Sequence, residues 1–221
     1  MMQLRRAAER YRGGDPQAGI ETRHAFSFGP HYDPDNLRFG PLIACNEERL
    51  EPGAGFDEHP HRDVEIVTWV VEGELTHRDS AGHASVVRPG DVQRLSAGSG
   101  VRHTERNEGA EPLRFVQMWL EPARPAGEPS YEIVRGIGTP YALANAGAVL
   151  HIVRLAEGEC RALPMSDAGS GPESRTHLQV VRGQVQLPDD LLGPGDELRI
   201  SGHPGPELIA ATPAELLIWQ L

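Results

Sequence analysis

The chain has 221 residues, 38% hydrophobic and 24% charged, a globular balance that excludes disorder and leaves room for one large domain or two small ones. Its net charge of −11 lacks the basic face that a direct nucleic-acid binder or an anionic-membrane binder needs, and all 21 of its basic residues are arginine, which reads as codon bias. Cys45 and Cys160 have no CxxC spacing, so no thiolate zinc site is expected, and without a signal-type apolar core or an 18-residue apolar run the reading is a soluble, cytoplasmic protein.

The 25 glycines and 19 prolines favour short strands joined by tight turns, and so an all-β fold. In chain order, a short helix is expected over residues 4–11. Strands follow at 41–44, 64–71, 74–77, 85–87, 92–95 and 113–120, roughly one every ten residues. The proline-rich stretch from Glu121 to Pro129 cannot continue a central strand and reads as a linker. Strands resume at 149–155, 177–181, 184–187, 197–200 and 215–221.

The two halves repeat each other. Val70-Val71-Glu72-Gly73 is echoed by Val180-Val181-Arg182-Gly183, and Arg88-Pro89-Gly90-Asp91 by Gly193-Pro194-Gly195-Asp196. Each half closes on an apolar strand that contains a tryptophan. Ordered matches at a near-constant offset indicate a duplicated β-domain, so two sequential barrels are expected, over residues 1–130 and 131–221.

Two pairs of residues carry the chemistry. His59-Pro60-His61 enters a strongly apolar strand, and His103-Thr104-Glu105 repeats the same spacing further on. In extended chain, residues i and i+2 point the same way, so each pair can face one cavity. Three imidazoles and a carboxylate suit a divalent transition metal and leave coordination positions open. Neutral imidazole is the ligand form, so acid below about pH 6.5 is expected to release the metal. At the repeat offsets the second half carries Gly169, Gly171, Leu208 and Ala210, which cannot ligate. His24, His31, His77, His83, His151, His177 and His203 read as structural or surface residues, with His24 the least settled of them.

Gly53 followed by His59-x-His61, Glu65 and Gly73 resembles the first cupin motif, and Gly90 through His103 to Asn107 resembles the second. Arg23-His24-Ala25-Phe26-Ser27-Phe28, Tyr32-Asp33-Pro34, the run from His59 to Glu65, and the run from Ser96 to Glu105 are similar to pirins, among them bacterial pirin-like quercetin 2,3-dioxygenases. The resemblance covers most of residues 4 to 120. It departs from the general second cupin motif in the wider spacing of Gly90 and Gly100 and in Ser96, where that motif has proline; pirins share both departures. The resemblance implies a bicupin with one metal per chain on His59, His61, His103 and Glu105. Fe(II) is the first choice, with Mn, Co, Ni, Cu or Zn as alternatives, and Glu65 is not a ligand. It further implies dioxygenation of flavonols such as quercetin by O₂ with loss of carbon monoxide, Glu105 serving as ligand and then as catalytic base. Val67, Phe115, Gln117 and Trp119 are candidate pocket residues or barrel core. Two other readings compete: a redox-sensing metalloprotein that binds a regulatory protein partner, and a cupin isomerase or dioxygenase for another enolic substrate.

Overall fold

The computed structural model describes residues 1–138, 140–163 and 174–221, so Gly169 and Gly171 lie outside the described residues. Twelve strands precede residue 138: β1 (Met2–Arg5), β2 (Tyr11–Asp15), β3 (Ile20–His24), β4 (Leu42–Leu50), β5 (Gly55–His61), β6 (Glu65–Glu72), β7 (Leu75–Asp79), β8 (Ala84–Val87), β9 (Val92–Ser96), β10 (Val101–Arg106), β11 (Leu113–Leu120) and β12 (Ser130–Val134). Nine follow among the described residues: β13 (Tyr141–Leu143), β14 (Ala148–Leu155), β15 (Cys160–Ala162), β16 (Arg175–Arg182), β17 (Val185–Gln186), β18 (Leu191–Leu192), β19 (Glu197–Ser201), β20 (Glu207–Ala210) and β21 (Ala214–Gln220). The fold is an all-β bicupin, and among the described residues no helix is long and apolar enough to cross a membrane.

The strands form two units, Arg10–Ile137 and Met1–Glu9 with Gly138–Leu221. The first has a seven-stranded sheet in the order β12-β9-β6-β11-β4-β3-β2 and a four-stranded sheet in the order β5-β10-β7-β8. Its interior holds Leu50, Val70 and Phe115 from the larger sheet and Leu75 and Val87 from the smaller. Fully burying one such side chain contributes about 1.5–3 kcal/mol. The second unit repeats the plan with β1-β19-β16-β21-β14-β13 and β15-β20-β17-β18. The repeat read from the turns is therefore a repeat of topology, in which β6, β9, β10 and β11 correspond to β16, β19, β20 and β21.

The expected helix over residues 4–11 is instead a strand. Met2 to Arg5 pair with Ile200 to Glu197, Leu4 packs on the core of the second unit, and only Ala7–Glu9 form a turn of 3₁₀ helix. An isolated eight-residue helix is marginal in water, whereas the open edge of β19 offers a full ladder. Arg6 anchors the segment through Asp190 at 2.6 Å and Asp196 at 3.1 Å. At the corresponding edge of β9 sits β12, paired from Ser130↔Ser96 to Val134↔Val92. Each unit thus takes an edge strand from chain flanking the expected domains, and the division falls after Ile137 rather than at residue 130.

Candidate metal centre

β5 and β10 run antiparallel with His103 opposite His59 and Val101 opposite His61. Between His103 and Glu105 the register slips, leaving Asp57 and Glu58 together opposite Thr104 and bringing Phe56 opposite Glu105. This β-bulge changes the alternation of β5, so Phe56 and His59 line the same cavity although only two residues, an even number, lie between them. Gly55 permits the close approach of the two strands, because a Cβ there would lie 2.5 Å from the Glu105 carbonyl oxygen.

The imidazoles of His59, His61 and His103 form a triangle with ring centroids 4.5–4.8 Å apart, and each offers a nitrogen within 4.8 Å of the others. The Nε2 atoms of His59 and His103 lie 3.0 Å apart. His61 Nε2 is buried and has no hydrogen-bond partner among the described residues, a cost that a bound cation would remove. His103 also belongs to a second donor set with His77 and Glu105. Glu105 therefore meets the histidines through His103, beside the first triangle.

Tautomers decide between the two sets. Asp79 accepts from His77 Nε2 at 3.1 Å, from the backbone N–H of Ala81 at 2.9 Å and from that of His83 at 3.0 Å. His77 thereby presents the lone pair of Nδ1 to His103 Nδ1, 3.4 Å away. With its Nδ1 proton directed there, His103 keeps its Nε2 lone pair on the side of His59, whose Nε2 lies 3.0 Å away. His59 is set the same way, donating from Nδ1 to the Asp57 carbonyl at 2.7 Å. The triangle of Nε atoms is the set these partners prepare.

Glu105 is fully buried, and both of its oxygens are held: Gln117 Nε2 donates to one at 2.7 Å and Gln93 Nε2 approaches the other at 3.4 Å. Burial alone would raise its pKa, but His103, the Gln117 hydrogen bond, His77 and His59 outweigh burial and hold it below the usual carboxylate range. A cavity of about 410 Å³ opens on this cluster, lined by His59, His61, Glu105, Gln117, Phe56 and Trp119 among others. That volume falls within the roughly 300–1,000 Å³ of small-molecule sites.

Residues 4–120 match the family model for pirin, and the whole chain aligns at 40% identity with 95% of a Mycobacterium tuberculosis protein whose name assigns it provisionally as a quercetin 2,3-dioxygenase. The chain belongs to the pirin family. It is also 33% identical to the quercetin 2,3-dioxygenase of Escherichia coli K12, with all of this chain and 99% of that one covered. Among solved structures, the bacterial pirin YhhW from Escherichia coli in complex with nickel(II) superposes with a TM-score of 0.89 at 30% identity, covering 100% of this pirin and 99% of YhhW.

A divalent metal fits the residues present. Three nitrogen donors converge, one of them orphaned and buried, beside a carboxylate held anionic by its neighbours. Among the described residues, both donor sets lie in the first unit. Leu208 and Ala210, which the offset of the sequence repeat sets against His103 and Glu105, are both buried in the aliphatic core of the second unit.

Burial, reinforced by the neighbouring imidazoles, lowers the pKa of His61 and of His103 to about 4. For these two residues, proton competition is thus displaced from the window expected near pH 6.5. In the metal-free protein the unfolded chain takes up protons on them below about pH 6.5, while the fold resists uptake until about pH 4. Folding stability is therefore expected to fall as pH drops across that window. Urea unfolding between pH 7 and 4 checks it, since the slope should flatten in His61→Asn; an unchanged slope would contradict the assignment.

Several residues here were not legible as site residues. His77, a structural or surface residue on its sequence context, is buried against Tyr131 with their rings stacked 4.4 Å apart. Gln93, Thr22, Asn46 and Glu48 carry one local signal in the sequence, a polar residue at buried positions of apolar strands. Of the four candidate pocket residues, Gln117 and Trp119 line the cavity, Phe115 belongs to the core, and Val67 is buried without lining it. Glu65 stands apart from both donor sets and accepts from the Ser96 hydroxyl.

Proposed function

We propose that this pirin binds one divalent transition metal per chain on His59, His61, His103 and Glu105, and uses it to cleave the heterocyclic ring of a flavonol such as quercetin with O₂. Fe(II) is the first choice of metal. The observation that carries the reading is the convergence of three imidazole nitrogens, His103 sharing a second donor set with Glu105, beside a cavity of ligand size that His59, His61 and Glu105 line. The family membership and the dioxygenase names of full-length relatives support the same substrate class.

The metal, when bound, would supply a Lewis acid and template for the flavonol oxygens and O₂. The protein supplies the rest. Glu105, held by Gln117 and Gln93, is poised to take the proton of the flavonol 3-hydroxyl. The Asp79–His77–His103 chain keeps one imidazole in the tautomer that exposes Nε2. Phe28, Phe56 and Trp119 give the cavity an apolar lining that accepts a planar aromatic and excludes water. Overall, both atoms of O₂ enter the substrate, its heterocycle opens, and one ring carbon leaves as carbon monoxide.

The test is turnover by protein loaded separately with Fe, Mn, Co, Ni and Cu. At least one form should bleach the quercetin absorbance, consume O₂ in equal amount and release carbon monoxide. If none does, the dioxygenase reading fails and a metal-dependent regulatory role takes its place.

A further inference from the structure

The cavity carries a second polar wall that the metal chemistry does not use. On β3 and β4, Thr22 pairs with Glu48 and His24 with Asn46, and all four side chains line the cavity. The Thr22 hydroxyl donates to Glu48 Oε2, while Glu48 Oε1 has no hydrogen bond among the described residues, although the residue is only 4% exposed. His24 Nδ1 lies 3.0 Å from Asn46 Oδ1, and the ring stacks on Phe28 with centroids 4.8 Å apart. Gly13 makes room for that ring, since a Cβ there would fall 2.4 Å from His24 Nε2.

A buried carboxyl group with one oxygen tethered and the other facing a ligand-sized cavity is built to meet a polar group on the ligand. Burial pushes the Glu48 pKa up to about 8, against the Thr22 hydrogen bond and with Glu105 and Glu47 adding to the rise. The group can therefore donate as well as accept. The cavity lining includes two carboxyl side chains, Glu48 and Glu105, and no arginine, so an anionic substituent would find no guanidinium partner there. An uncharged hydroxyl fits this chemistry.

We propose that Glu48, tethered by Thr22 and flanked by Asn46 and His24, recognises a hydroxyl on the aromatic rings of the substrate, so that the cavity selects polyhydroxylated planar aromatics over analogues without ring hydroxyls. The proposal rests on the flavonol reading and names the determinant of its specificity. A site that hydrogen-bonds a substrate hydroxyl rejects the analogue lacking it, because the protein group is then left buried and unpaired.

Anaerobic equilibrium binding to nickel-loaded protein tests this without turnover. Quercetin is compared with 3-hydroxyflavone, which keeps the 3-hydroxyl but lacks the others. The wild-type protein should prefer quercetin by about tenfold or more. Glu48→Leu should bring that preference within a factor of three while still binding 3-hydroxyflavone and retaining its nickel. Glu48→Gln, which keeps a donor and can still accept from Thr22, should retain the preference; Glu48→Met replaces the leucine variant if that one does not fold. If wild type discriminates and the apolar variants discriminate equally, or if they weaken both ligands alike, Glu48 is only structural and the proposal is overturned while the flavonol reading stands. If the nickel-loaded wild type binds neither compound, the flavonol reading fails and the proposal falls with it.

Discussion

Replacing His59 and His61 together by alanine is expected to abolish metal binding. The two residues supply two of the three imidazole nitrogens of the triangle, leaving only His103 and Glu105 of the proposed ligands to hold the ion in competition with water. Loss of a single partner outside the coordination shell typically costs 10–100-fold in metal affinity, so removing two ligands should cost well beyond a hundredfold. Metal per chain, measured by elemental analysis after loading and gel filtration, should fall from about one to near zero. The fold should persist, because the β5–β10 ladder runs through the backbone and His61 Nε2 makes no hydrogen bond that the variant would lose. Retention of one metal by the double variant, or a wild-type stoichiometry near two, would refute both the site and its confinement to the first unit.

Glu105→Gln is expected to lower kcat by a factor of about 10² to 10⁴, beyond any loss of metal occupancy, if the carboxylate takes the substrate proton. The surroundings sharpen this expectation. Gln117 and Gln93 both direct amide N–H groups at Glu105, and a carboxylate can accept from both. A glutamine has only one oxygen, so its own amide N–H groups would meet one of those donors unless a neighbouring amide turned over. The variant thus loses both the negative charge and the fixed orientation of its oxygen. Rates normalised to bound metal separate the proton-transfer role from the ligand role, and a thermal melt reports the packing cost. A variant that keeps its metal and its normalised rate would show that Glu105 is not the base.

What the amino-acid sequence determined by itself was whatever rests on local order. The i, i+2 spacing of His59 with His61 and of His103 with Glu105 follows from the two-residue period of extended chain. The Val-Val-x-Gly and Pro-Gly-Asp turns repeat at nearly the same interval, and that repeat was enough to show a duplicated β fold. Tertiary structure decided what depends on register between strands far apart in sequence. Met2 to Arg5 carry no strong strand signal of their own and become a strand because the edge of β19 lies open to them. His77 faces Glu105 across β7 and β10, which turns an ordinary strand histidine into the group that sets the tautomer of His103. Thr22 and Glu48 meet across β3 and β4, separated by a long connection whose length gives no hint of their pairing. A ligand pair two residues apart is visible in one dimension because the backbone alone aligns it. A hydrogen-bonded wall or relay is not, because its members are brought together by ladders that form only when the whole barrel closes.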